Sequence, residues 1–542
     1  MKHPAIKSLT LVVVTAIIAA SCASRGFAEN ERPDPAAKAV KRDLNDREVR
    51  QIFNLLFASR TRTALTVLDS LAPTSGEYPL YHLMRARAYR EFLPVDDENK
   101  DRLKAMARSV YDELDRTIAI CTQRLNAGDA DPRLYLYRGW AWMFRSHVHT
   151  FERSMWSAGK EAKRGKKDLD KYLAIRPRDP VAGSIMGAFL YFADTLPSAY
   201  KFVSKLLFLP GGDRNRGLQM MELSVGWDSI VENDNRLILY SVDIGFEGRF
   251  EEGLEGFDAL IRNHPHHSTF LRPLAVLMPL RPRYRESDGD KLDVHIDALA
   301  SSPKGESEVA TYWLLRFMQA YADRFYNPVR AAERFQSIIE VNPESPDWVS
   351  AYSRFELARM FAAQGRVDDT RAVLDSLLAD KRGKYIYGEA QAILKHLNSD
   401  GSVTAPDPTV VRDIYLSPAG AQRARAHFES ADPRGAADFF YLGEALLALG
   451  DNDGAEKAYL NAADTDSPVW DDSFRMLGAA RAGEVAATEG RYRDAAAYYK
   501  HAREFWHKEF VYDWLLESRA RYFKRLADGK EQPPVVWFAA AR

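Results

Sequence analysis

The stretch FFYLGEALLALGDNDGAEKAY, Phe439 to Tyr459, decides the fold predicted for this chain of 542 residues. Small and aromatic residues stand within it at offsets 0, 7, 12 and 16, namely at Gly443, Gly450, Ala455 and Tyr459. The next unit of the chain repeats these offsets at Gly483, Gly490, Ala495 and Tyr499. A pattern that recurs at a fixed period is typical of a protein built from stacked copies of one small structural unit.

Both units resemble tetratricopeptide repeats (TPR), which are hairpins of two antiparallel helices. The resemblance implies that the small residues at the first and third positions of the pattern let the two helices approach closely. The glycine at offset 7 ends the first helix, where a left-handed conformation is needed. A single hairpin cannot bury its apolar face, so neighbouring hairpins must stack into a continuous core. We therefore predict an all-α fold, a right-handed α/α superhelix of TPR-like hairpins.

Weaker copies of the same pattern occur upstream, with corners at Gly248 and Gly365, and breaks in composition divide the chain. A polar segment that contains prolines follows the N-terminus, and NSDGSVTAPDPT is a linker by composition. The predicted divisions are a signal segment over 1–28, a tether over 29–45, an N-terminal helical array over 46–397, a linker over 398–409, C-terminal repeats over 410–528 and a tail over 529–542.

The N-terminus is typical of an export signal. Lys2 and Lys7 precede an apolar run, Leu9 to Ala20, that is too short to cross a membrane as a mature helix. The sequence AASC that ends at Cys22 resembles a bacterial lipobox, which implies that Cys22 is lipidated and becomes the mature N-terminus. Cleavage before Glu29, after the small residues GFA, is the alternative.

A lipidated Cys22 would anchor the chain to a membrane of the cell envelope. Ala23 is not the aspartate that signals retention in the inner membrane of some Gram-negative bacteria. We therefore expect an outer-membrane lipoprotein that faces the periplasm, with a soluble periplasmic protein as the alternative.

A second resemblance concerns GAFLYFADTLP and LPGGDRNRGLQMM, which are similar to the central segment of a bacterial group of TPR proteins and of the eukaryotic tetratricopeptide repeat protein 39 family. The matching residues are Gly187, Leu196, Pro197, Gly212, Asp213, Arg214, Gly217 and Leu218. The resemblance implies a scaffold with a structural corner at Gly212, Asp213, Arg214 and Gly217. On physical grounds Asp213 suits the cap of the following helix. A phosphate-binding loop is excluded, because Leu218 and Gln219 stand where it needs Lys and Ser or Thr.

The remaining motifs predict no catalytic, cofactor or metal site, and we expect a non-enzymatic protein. The chain has 75 Lys and Arg against 76 Asp and Glu, so no overall field attracts nucleic acid, and none is expected as a partner. The adjacent histidines in HPHH, residues 264–267, favour a turn over a metal site. The basic cluster KRGKK, residues 163–167, is either a solvated helix face or a contact with anionic lipid or peptidoglycan.

Two classes of function remain open. The first is an envelope scaffold that binds a protein or peptide segment, and the alternative is an envelope lipoprotein that binds a glycan or a small molecule. In stacked hairpins the first helices line the concave face. We therefore expect contacts with a partner at four residues off the packing positions of those helices: Phe440, Glu444, Arg481 and Glu484. Reversal of both charges at Arg481 and Glu484 should then abolish binding with little loss of stability, and otherwise the aromatic helices around Trp140 are the next candidate.

Overall fold

The structure is a computed structural model, and it is described here for most of the chain between Lys41 and Lys530. The described residues are 41–57, 60–93, 100–152, 154–195, 212–225, 231–247, 249–263, 293–294, 296–297, 306–344, 348–397, 406–430, 435–466, 468–505 and 513–530. Over these residues the chain forms α-helices joined by short turns and no β-strand, so the all-α prediction is confirmed.

Helices of the first part of the chain alternate in direction as hairpins. They are α1 (Asp46–Phe57), α2 (Thr61–Ser75), α3 (Pro79–Arg90), α4 (Lys100–Asn126), α5 (Arg133–Phe151), α6 (Met155–Ile175) and α7 (Pro180–Thr195).

The middle part continues the series and includes one π-helical segment, Asp243–Glu247, and one 3-10 segment, Lys381–Ile386. Its helices are α8 (Arg214–Val225), α9 (Glu232–Val242), α10 (Phe250–Asn263), α11 (Glu306–Tyr326), α12 (Pro328–Val341), α13 (Val349–Ala363), α14 (Val367–Ala379) and α15 (Tyr387–Leu397).

The C-terminal part contains the two clear repeats and a final helix, with a 3-10 turn at Val469–Asp471. Its helices are α16 (Pro408–Leu416), α17 (Pro418–Ser430), α18 (Ala436–Ala448), α19 (Asn452–Asp464), α20 (Asp472–Thr488), α21 (Tyr492–Ala502) and α22 (Asp513–Ala527). No helix in the described part of the chain has the length and apolar character needed to cross a membrane.

Local sequence explains where the repeat helices begin and end. Gly450 and Gly490 have φ of +82° and +73°, the left-handed conformation that closes the first helix of each repeat. Asp451 then caps α19 by accepting a hydrogen bond from the backbone N–H of Gly454 at 2.9 Å. A Cβ at Gly443 would lie 2.5 Å from the ring of Tyr459, so only glycine allows this approach of α18 and α19.

Each helix packs mainly against its neighbours in sequence, and the buried side chains join into one continuous core. This arrangement is a TPR-like solenoid of helical hairpins. The C-terminal repeats also contact the earlier array: the Tyr441 hydroxyl donates to the backbone oxygen of Phe325 at 2.8 Å, and Arg521 donates to that of Thr195 at 3.1 Å. The division of the chain at 398–409 stays a prediction, because residues 398–405 lie outside the described part.

Candidate functional site

The four residues expected to face a partner lie in the interior. Relative exposures are 0% for Phe440, 3% for Glu444, 2% for Arg481 and 7% for Glu484. The expectation that they lie off the packing positions is wrong, because all four are buried, whereas Phe439 and Leu442 of α18 are only half-buried. The physical reason is that the chain covers this face of α18 and α20 itself, with the end of α11 and with α22. Partner binding by these residues stays a prediction, and reversing their charges would act first on packing.

A buried polar network holds that face closed. Arg481 pairs with Glu484 at 2.7 Å and donates to the Tyr326 hydroxyl at 3.1 Å. Glu444 accepts hydrogen bonds from the hydroxyls of Tyr459 at 2.8 Å and Tyr415 at 3.1 Å. Burial disfavours the charge on Arg481, but the neighbouring acids and tyrosines outweigh it and raise the pKa of Arg481 well above its ordinary value.

A second network joins α11 and α13 to the start of α20. The Ser473 Oγ accepts from Arg324 and from Arg359, each at 2.6 Å. Arg359 also donates to the backbone oxygen of Trp470 at 3.1 Å, and Glu356 pairs with both guanidinium groups. Because these contacts link positions more than 100 residues apart, they hold the C-terminal repeats against the earlier array.

Beside this network lies a small cleft with a volume of about 60 Å³. Its walls combine aromatic, cationic, acidic and apolar side chains and reach the half-buried end of α13. The lining residues include Tyr441, Trp470, Phe474, Arg324, Arg359, Asp438, Asp471, Ala363 and Gln364. A volume of this size accommodates a small polar group such as an amide.

Both cleft-lining residues of the 3-10 turn hold a buried polar atom that lacks a hydrogen-bond partner among the described residues. These atoms are Nε1 of Trp470, which can only donate, and Oδ2 of Asp471. Burial raises the pKa of Asp471 to about 7, while the nearby charge of Arg359 opposes the rise. The lining of the cleft therefore includes one residue with an unpaired donor and one with a carboxyl group that is partly protonated near neutral pH, set among aromatic rings.

The sequence analysis did not predict Trp470, Asp471 or the neighbouring arginines as site residues. A signal was present in α13, YSRFELARMF, where Arg354, Glu356 and Arg359 interrupt an otherwise apolar helix. All three are buried in the structure. Charges on a helix that is buried all round must pair inside the fold, which only the positions of the other helices reveal.

The structural corner is built as a tight junction between α7 and α8. Asp213 accepts a hydrogen bond from the backbone N–H of Arg216 at 3.0 Å, the geometry of a helix cap. Arg214 is buried, pairs with Glu247 in the π-helical segment and stacks 4.0 Å from the Tyr522 ring. This corner thus contacts the final helix of the chain.

Several predicted features fall outside the described residues, including Cys22, Leu196, Pro197, Gly248 and the histidines of HPHH. Within the described part, no group of three or more His, Cys, Asp or Glu residues is placed to hold a metal ion. Cys121 is buried, and burial raises the pKa of its thiol to about 12.

No protein-family model matches the chain, and no curated protein matches it significantly. Among solved structures it is similar to the human IFIT1 dimer with PPP-AAAA, at 14% identity and a TM-score of 0.30, over 78% of this chain and 95% of that one. It is similar to a monomeric IFIT1 mutant with Gppp-AAAA at 14% identity and a TM-score of 0.29, over 85% and 95% of the two chains. Naa15/Naa10 bound to HypK-THB matches at 14% identity and a TM-score of 0.18, over 89% and 79%.

Proposed function

We propose that this chain is a non-enzymatic, TPR-like scaffold of the bacterial cell envelope that binds a polypeptide segment and is anchored through a lipidated Cys22. The stacked hairpins support the scaffold part of this proposal, since such arrays present an extended surface made of many helices. The lipobox resemblance supports the anchor and the envelope location.

The observation that carries the binding part is the cleft beside Arg359, whose lining residues Trp470 and Asp471 each hold a buried polar atom without a hydrogen-bond partner, Nε1 and Oδ2. A buried polar group without a partner costs about 1–3 kcal/mol, so a ligand that pairs with both atoms gains affinity. An amide supplies what is needed: its oxygen accepts from Trp470 and its N–H donates to Asp471. The aromatic walls favour an apolar group beside that amide. The cleft therefore suits a peptide segment better than it suits a charged ligand.

The site of binding can be tested by filling the cleft with a larger side chain. Ala363→Phe places a ring at the half-buried end of α13, among the cleft-lining residues. The matched control is Val367→Phe, which adds the same ring at an exposed position of the next helix that does not line the cleft. We expect a random peptide library displayed on phage to be enriched by the wild type and by Val367→Phe, but not by Ala363→Phe at an equal melting temperature.

Equal enrichment by Ala363→Phe would place the binding surface elsewhere on the array. A panel of envelope glycans belongs in the same assay. The wild type could instead bind a glycan and enrich no peptide, and Ala363→Phe could abolish the glycan binding. That result would contradict the peptide-binding scaffold and support the ligand-binding alternative.

The anchor is tested separately by Cys22→Ala. Diacylglycerol together with an amide-linked chain gives durable attachment, and loss of the thiol removes both. We expect the wild type in the membrane fraction and the variant in the soluble periplasmic fraction. Unchanged fractionation of the variant with membranes would contradict lipidation at Cys22 while leaving the peptide-binding proposal untouched.

A further inference from the structure

The exposed face of α6 (Met155–Ile175) carries a concentration of positive charge that the proposed cleft does not use. Its cations are spaced by three or four residues and therefore share one side of the helix. The exposed members are Lys160, Lys163, Arg164, Lys167 and Lys171. We call this set the α6 basic stripe.

The three acids of α6 pair with cations that are not members of the stripe. Asp168 is buried and pairs with Arg138 at 2.7 Å, and Glu161 is buried and pairs with Arg145 at 2.9 Å. Asp170 is paired with Lys166 at 2.7 Å. Since the formal net charge of the whole chain is only −1, five exposed cations on one helix form a local concentration of positive charge.

Aromatic and apolar side chains accompany the stripe. The Arg164 guanidinium lies 4.8 Å from the centre of the Trp142 ring, and the Lys171 Nζ lies 4.9 Å from that of Tyr135. At the start of the helix Trp156 is 47% exposed, with the Lys160 Nζ 5.1 Å from its ring, and at the end Ile175 is 56% exposed. Exposed aromatic and aliphatic groups beside lysines are typical of residues at a membrane–water interface.

We propose that the α6 basic stripe docks the protein on an anionic phospholipid surface. A helix of 21 residues is roughly 30 Å long, and its cations form a ridge that suits a flat bilayer rather than a groove that would hold a peptide. Four of the five cations are lysines, which act as point charges without the paired geometry that selects a single phosphoryl group. Basic residues next to a membrane surface are attracted to anionic lipid, and the stripe places five of them on one side of a helix.

A nucleic acid is the less favoured polyanion. Binding of single strands relies on open aromatic faces on which bases stack. Here the rings of Trp142, Tyr135 and Trp156 each already lie against a cation of the stripe, namely Arg164, Lys171 and Lys160. The stripe acts independently of Cys22 and of the cleft, and would orient the array against a membrane whether or not the chain is acylated.

The test measures sedimentation of the full chain, with Cys22→Ala in every variant, on vesicles of phosphatidylcholine with or without phosphatidylglycerol. The stripe variant carries Lys160→Glu, Lys163→Glu and Lys167→Glu. Its matched control carries Lys395→Glu, Lys457→Glu and Lys500→Glu, which change the net charge equally at exposed positions of α15, α19 and α21. Each basic residue near an anionic surface contributes roughly fivefold in affinity, so the stripe variant should lose roughly 100-fold and the control little.

Binding should require phosphatidylglycerol and weaken as salt is raised. Lys→Gln changes at the same three positions give the same readout should the Glu variant fold poorly. Equal vesicle binding by stripe and control variants would overturn the proposal, as would tighter binding of a single-stranded oligonucleotide that depends on the stripe. Peptide enrichment by the cleft should be unaffected in the stripe variant, so the two proposals fail independently.

Discussion

Asp471 illustrates how the interior sets the properties of a single residue. Burial raises the pKa of its carboxyl group from an ordinary 3.8 to about 7. Between these two values the folded state holds a proton that the unfolded state has released. The contribution of Asp471 to the free energy of unfolding therefore falls as the pH rises from about 4 to 7, and it changes little above that.

We expect Asp471→Asn to remove this dependence, because asparagine keeps the shape of aspartate and does not ionise. The free energy of unfolding of the variant, relative to the wild type, should rise by about 3 kcal/mol between pH 5 and pH 8, since one pKa unit corresponds to about 1.4 kcal/mol. Urea unfolding at both pH values measures it. Asp368→Asn, at an exposed position, is the control, and a curve for Asp471→Asn parallel to that control would show that Asp471 does not titrate in this range.

Among the elements, α7 and α8 approach so closely that their backbones touch through glycine. A Cβ at Gly217 would lie 2.6 Å from the backbone oxygen of Gly187 and 2.6 Å from the backbone nitrogen of Tyr191. Neither atom belongs to a flexible side chain, so a methyl group there must push the helices apart. This junction also positions Arg214 against Glu247 and the final helix.

Gly217→Ala should therefore lower the free energy of unfolding by about 2 kcal/mol or more, the usual cost of overpacking a tight contact. Gly388→Ala provides the opposite case within α15, because nothing lies within 4 Å of the added Cβ. That change should stabilise the helix by roughly 0.5–1 kcal/mol. Urea denaturation of both variants tests the pair, and equal stability of the two would contradict the close approach of α7 and α8.

On the scale of the whole molecule, the C-terminal repeats are held to the earlier array by buried charges. Ser473 is the common acceptor for Arg324 and Arg359, which come from two different helices of that array. The Arg519 guanidinium also reaches the backbone oxygen of Ile244 at 3.4 Å, in the π-helical segment. The two parts should therefore unfold together rather than as separate domains.

Ser473→Ala would leave two buried guanidinium groups without this acceptor, at about 1–3 kcal/mol for each unpaired group. We expect a loss of about 2 kcal/mol or more and a single calorimetric transition in the wild type. Ser353→Ala is the control, since its buried Oγ donates only to the Val349 carbonyl of its own helix at 2.8 Å. Two separate transitions in the wild type, or equal losses for both variants, would show that this network does not couple the two parts.

The amino-acid sequence by itself determined the type of structure. The spacing of Gly443, Gly450, Ala455 and Tyr459 is a local pattern, and helix formation, capping and hairpin closure depend on residues close together in the chain. These features could be read without knowing where any other hairpin lies. The resemblance of the N-terminus to a lipobox is local in the same way.

Only the tertiary structure decided which helix faces are exposed and which are buried. The side of α18 and α20 that carries Glu444 and Arg481 looks like an open groove in sequence, yet α11 and α22 cover it with contacts such as Arg481 to Tyr326. The cleft at Trp470 and Asp471 likewise exists only because helices from positions more than 100 residues apart meet there. A repeat pattern specifies contacts within a hairpin and with the next one, whereas burial of a charge depends on how the whole array folds back on itself.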